Sequence, residues 1–134
     1  MPDALARRKH GYEHEIQMRE HRLASDEPEE KGGADRGPKP TELLAAALAS
    51  CTAITIEMYA DRKEWDLGQV EVNVNFTEAS TSDPPKLGVQ IKVEADLDDE
   101  QRKRILVIAG KCPVHRALAS RETVIRDSLS VAGG

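Results

Sequence analysis

The chain carries two thiols, and they sit in unlike surroundings. Cys51 is at the centre of "LLAAALASCTAITIE", the most apolar stretch of the sequence, while Cys112 stands directly before a proline in "AGKCPVHRAL". Taken alone, Cys51 reads as a small hydrophobe in a core helix, where free cysteine is commonly buried and an apolar setting raises its pKa. A mid-helix site gains little from the helix dipole, so a reactive Cys51 needs a cation or donor brought from elsewhere in the chain. Cys112 differs. With Pro113 as the first residue of a helix, Cys112 becomes its N-cap, beside unsatisfied N–H groups that lower a thiol pKa. Local helix physics therefore names Cys112 the more acidic thiol, against the simpler reading of a sulfur that merely caps a turn.

As a pair, the cysteines admit two kinds of chemistry. In a dithiol cycle, one thiolate attacks a peroxide, becomes a sulfenic acid, and is resolved by the other thiol as a disulfide. Alternatively, Cys51, Cys112 and His115 would form a zinc site, but no CxxC or HxxxH knuckle accompanies them. The expectation is therefore no metal and no other cofactor. His10 and His14 lie near the N-terminus and read as solvated. "KGGADRGPKP" lacks the GxxxxGK[ST] phosphate loop, and no GxSxG elbow occurs. The basic run "QRKRIL" is more simply the wet face of an amphipathic helix.

The elements that must position these groups follow from periodicity. Residues 1–12 read as a loose N-terminal arm, and "EHEIQMREHRLASD" as one or two exposed strands. "EPEEKGGADRGPKP" is dense in Gly and Pro and must be a loop. Pro40-Thr41-Glu42 opens a helix, with Thr41 as its candidate cap and Glu42 in the first turn, where the dipole favours a carboxylate. That helix runs to about Arg62 and is apolar on nearly all sides, which marks a core helix. "QVEVNVNFTEA" and "LGVQIKVEADL" alternate strictly and predict a β-hairpin. "DLDDEQRKRILVIAGKC" is a second helix with an acidic first turn, "PVHRALAS" a short third, and "ETVIRDSLSV" a final strand. The order β-β-α-β-β-α-α-β makes the class α+β, one helix against an antiparallel sheet.

At 134 residues, the length predicts a single domain, 1–134. The hydrophobic share is 39 % and only four residues are aromatic (Tyr12, Tyr59, Trp65 and Phe76), so the core must be built from Leu, Ile, Val and Ala. A monomer of this size buries about two-thirds of its unfolded surface, so a dimer interface would help it. The net charge of −5 argues against a nucleic-acid partner. The longest uncharged run, fourteen residues from Leu43 to Ile56, is short for a membrane span. Two cysteines and no secretion signal lead to an expected cytoplasmic location, where thiols are kept reduced.

"GPKPTELLAAALASCTAITIEMYADRKEWDL" followed by "CPVHRAL" resembles the OsmC/Ohr family, the osmotically inducible and organic-hydroperoxide-resistance proteins. The likeness rests on a G-P-x-P-x-E-L-L helix entry, a cysteine nine residues after that glutamate, and the late C-P-V-H segment. "LASDEP" and "DLDDEQRKRIL" fit as well, so it covers about Glu13 to Asp127. The resemblance implies antiparallel sheets packed around a long central helix in an intertwined homodimer, with thiol sites at the subunit interface. It also implies thiol-dependent reduction of organic hydroperoxides, with a dithiol electron donor. Carried over, Cys51 attacks the peroxide and Cys112 forms the disulfide, which reverses the assignment from local helix physics. The family's activating cation is an arginine from the N-terminal strand held by a glutamate at the helix mouth. Arg19 is its best positional match here, with Arg22 second. The peroxidase pattern is close to N-P-E-[EQ]-L, whereas this chain has Lys39-Pro40-Thr41-Glu42-Leu43. Thr41 stands at the carboxylate's place and Glu42 one residue on, turned by about 100°. The P-x-E-L form resembles the OsmC-like branch, for which a redox sensor, or a binder of hydrophobic small molecules without turnover, remains an alternative.

Overall fold

In the computed structural model, which describes residues 3–132, three short strands open the chain. β1 (Leu5–His10), β2 (Glu13–Met18) and β3 (His21–Ser25) form an antiparallel sheet in the order β1-β2-β3. Arg8 pairs with His14 and Ile16 with Leu23. Residues 5–10, expected as a loose arm, are therefore a strand. All six side chains of β1 are exposed, so no apolar alternation betrays it, and its backbone ladder to β2 is what defines it.

The Gly/Pro-rich loop that follows is organised by one carboxylate. Asp26 is almost fully buried and accepts hydrogen bonds from the N–H groups of Glu27 at 2.7 Å, Arg36 at 3.1 Å and Ala34 at 3.3 Å. A Cβ at Gly33 would collide with the Glu27 carbonyl and lie 2.9 Å from Asp26 Oδ1, so only glycine permits this close wrap.

α1 spans Pro40–Arg62, as the sequence predicts. Pro40 is its first residue, where a missing N–H is harmless, so the cap position falls on Lys39 rather than on Thr41. The helix mouth is closed by Glu42, whose Oε1 accepts the Lys39 N–H at 3.0 Å, half of a capping box. At the other end, Glu64 takes a left-handed φ of +57°. Trp65 N–H then reaches Ala60 O at 2.8 Å, and Glu64 N–H reaches Asp61 O at 3.1 Å. This is a Schellman motif, and the Tyr59–Trp65 contact is the apolar clasp that accompanies it.

Leu48, Thr52, Ile56, Tyr59 and Ala60 are the buried stripe of α1, at helical spacing. Ile54 and Met58, the latter 61 % exposed, lie outside it. The helix expected, being apolar on nearly all sides, to be a core helix thus has one bare apolar side in the single chain. By length and composition alone α1 would suffice to cross a bilayer, with a mean hydropathy of 1.6 in its most apolar window. Its buried stripe fits a core helix instead.

β4 (Val70–Thr77) and β5 (Lys86–Val93) form the predicted two-stranded hairpin, with alternate side chains half-buried. α2 (Asp99–Ala109) starts at a complete capping box between Asp98 and Gln101 and buries Ile105, Ile108 and Ala109. α3 (Pro113–Ala119) follows after a short corner. Beyond it, residues 122–131 are not the expected strand. Their alternation is real, but a strand needs a ladder partner, and none of the described residues provides one. Ile125 and Leu129 are left 82 % and 89 % exposed.

The chain gathers into two compact parts, one of residues up to Ser50 with Val72–Lys92, the other of Cys51–Glu71 with Val93 onward. Among the described residues, all of the buried apolar ones except Leu48 belong to the second.

Candidate functional site

Cys51 lies at the middle of α1 and is partly buried; Cys112 is the N-cap of α3 and has no exposed surface. Although 61 residues apart in sequence, they form a disulfide with Cα atoms 5.8 Å apart, a separation ordinary for the bond. Cys112 Sγ also accepts the His115 N–H at 3.4 Å, as the cap position derived from Pro113 requires. With both sulfurs bonded to each other, neither is free to ligate zinc in this form.

The other expected site residues, Arg19, Arg22 and Glu42, belong to the first part of the chain. Arg19 is the first residue of the β2–β3 turn, exposed, with a left-handed φ of +54°. Arg22 faces Glu15 across the sheet at 3.6 Å, an exposed pair. Glu42 is engaged with Lys39 N–H, and no ion pair joins it to Arg19 among the described residues.

Sequence reading passed over two groups. Asp26 is one: burial pushes its pKa up, but the N–H groups of Arg36, Glu27 and Ala34 and the Arg36 charge push it down, and the net is a lowered value. Its only signal was an Asp directly ahead of a turn-rich loop. Thr52, next to Cys51, is the second. Its Oγ1 is buried with no hydrogen-bond partner among the described residues.

Residues 32–126 match the sequence model of the family described as OsmC-like protein. The chain belongs to that family. An uncharacterized protein of Haloferax volcanii is 29 % identical to this OsmC-like chain over 86 residues, covering 63 % of the chain and 65 % of the relative. The chain thus spans just under two thirds of that relative. An OsmC-like protein from Mycoplasma pneumoniae superposes with a TM-score of 0.76 at 17 % identity, covering 92 % of this chain and 90 % of that one. The organic hydroperoxide resistance protein OhrB of Bacillus subtilis gives 0.61 at 22 % identity, covering 90 % and 92 %. At these identities the likeness is one of fold, and it bears out the α+β class.

Proposed function

We propose that this OsmC-like protein is a thiol-dependent peroxidase that reduces organic hydroperoxides through Cys51 and Cys112. The observation that carries the reading is a disulfide between a partly exposed residue, Cys51, and a fully buried one, Cys112. Of the two residues only Cys51 keeps exposed surface, so it is the one an incoming oxidant would meet, with Cys112 within bonding reach.

The Cys51 thiolate attacks the terminal oxygen of ROOH. The O–O bond breaks, ROH departs with a proton, and Cys51 becomes a sulfenic acid. The Cys112 sulfur then attacks Cys51 Sγ, forming the S–S bond and releasing water. A dithiol donor next attacks the accessible Cys51 sulfur, and Cys112 leaves as a thiolate next to the His115 N–H, a group that favours the charged form. The donor's second thiol frees Cys51 and the donor departs as a disulfide. Two electrons pass from donor to peroxide in each turn.

In this reading Arg19 supplies the cation that stabilises the Cys51 thiolate, and Glu42 the carboxylate that orients it through the oxygen not used by Lys39. The bare apolar side of α1 and the exposed apolar residues at 124–131 support an intertwined homodimer. An apolar neighbourhood for Cys51 favours organic hydroperoxides over hydrogen peroxide. Dithiol donors fit a cytoplasmic protein, where thiols are held reduced.

The test is peroxide consumption with cumene hydroperoxide and dithiothreitol. Wild type turns over and Cys51→Ser does not, while Cys112→Ser treated with cumene hydroperoxide in the absence of dithiothreitol stops at a sulfenic acid detectable by mass. Turnover that survives Cys51→Ser removes Cys51 as nucleophile. Failure of wild type with every hydroperoxide leaves the binding or sensing alternatives.

A further inference from the structure

A cleft in the second part of the chain takes no part in the thiol chemistry. It holds about 610 Å³, within the usual range for small-ligand sites. Tyr59 and Trp65 form its aromatic wall, their rings edge to face at 5.6 Å. Three cations line it as well: Lys63, Lys103 and Arg104.

The placement of those cations is specific. Lys63 Nζ lies 5.8 Å and Arg104 Cζ 5.5 Å from the centre of the one Tyr59 ring. Arg104 Nε donates to the Tyr59 hydroxyl at 2.9 Å, which fixes the guanidinium and leaves its two Nη groups as donors. Among the described residues, none of the three cations has a carboxylate within 4.0 Å. The acids of the cleft are Asp98, one of whose oxygens accepts the Gln101 N–H, and Glu100. In a chain of net charge −5, two positive groups held around one ring without a counter-ion repel each other. An anion bound in the cleft that both cations line reduces that repulsion. The Schellman clasp explains why Trp65 packs on Tyr59, but it does not explain why the cations converge there.

We infer that this cleft binds a small aromatic anion. Its ring lies along the Tyr59–Trp65 wall, and its phosphate or carboxylate head is taken by the Nη donors of Arg104, which suit a two-pronged contact, and by Lys63. This inference does not depend on the peroxidase reading.

Trp65 is the chain's single tryptophan, so its intrinsic fluorescence responds to a ligand in this cleft, and the Arg104 and Lys63 variants assign the response to it. Titration with phenyl phosphate should give a saturable change. Arg104→Gln and Lys63→Gln should each weaken binding about ten-fold or more, the loss of one charge-assisted contact. Arg104→Gln also removes the bond to Tyr59, and Lys63→Gln, at an exposed site, keeps the test independent of any folding defect. Four outcomes overturn the inference. They are no saturable change by about 10 mM, which excludes even weak binding; phenol binding as tightly as phenyl phosphate; inorganic phosphate binding as tightly; or unchanged affinity in Lys63→Gln. The titration uses neither peroxide nor thiol, so its failure leaves the peroxidase proposal untouched.

Discussion

Reducing the Cys51–Cys112 bond opens a covalent loop whose ends are 61 residues apart. In the chain-entropy account, closing a loop of this length removes freedom from the unfolded ensemble worth about 4 kcal/mol near room temperature. The Cα separation of 5.8 Å is within the unstrained range, so little of that is expected to be lost to backbone distortion. For a chain of 134 residues, 1 kcal/mol moves the melting temperature by about 3–4 °C. The oxidised protein should therefore melt roughly 15 °C above the reduced one. Calorimetry of wild type with and without a phosphine reductant, at equal protein concentration, measures the difference. Cys51→Ser, lacking the bond, should melt near the reduced wild type and ignore the reductant. A wild-type shift below about 3 °C, less than the effect of 1 kcal/mol, would refute the reasoning. So would an equal shift in Cys51→Ser.

Asp26 gives the protein an acid-sensitive loop. Its pKa in the fold lies below the ordinary value of about 3.9, so its stabilisation is complete well above that value. It is lost as pH falls through about 4 toward the lower folded value. Urea midpoints between about pH 6 and 3 should fall more steeply in wild type than in Asp26→Asn, and parallel curves would dismiss the carboxylate clamp. Gly33→Ala, which drives a Cβ into the Glu27 carbonyl, should cost about 2 kcal/mol in denaturant unfolding. Glu42→Ala should lose about 1 kcal/mol with the Lys39 N–H bond. Glu42→Gln keeps an oxygen for that bond, so a peroxidase loss in Glu42→Gln without a stability loss would separate a role in orienting the cation from capping.

What could be read from the chain was what local rules decide. The span of α1 follows from Pro40 and a long apolar run, the β4–β5 hairpin from strict alternation, and the capping role of Cys112 from Pro113. Each depends on residues only a few positions apart. β1 escaped notice because its side chains are all exposed and its partner is another strand. The apolar alternation at 122–131 misled for the converse reason, since alternation alone supplies no ladder. Which side of α1 is buried was also hidden, because a helix apolar all round shows no preferred face. The Cys51–Cys112 meeting spans 61 residues, and the sequence pointed to it through family likeness, not through spacing. Tyr59 and Arg104 are 45 residues apart, and nothing in "QRKRIL" distinguishes the arginine that meets the tyrosine from those in solvent.

The tether between Cys51 and Cys112 also bears on how such a protein would survive its own substrate. A sulfenic acid at Cys51 has two fates: capture by a neighbouring thiol, or a second oxidation to a sulfinic acid that dithiols do not reverse. Groups joined through the same fold meet at effective concentrations on the order of millimolar or higher, and here the two backbones are already at bonding distance. A second peroxide at micromolar levels would have to outrun that intramolecular step. In the peroxidase reading, then, Cys112 does more than complete the cycle: its fixed position makes self-inactivation the slower branch, so the protein would be worn out by sustained exposure at high dose rather than by each passing encounter.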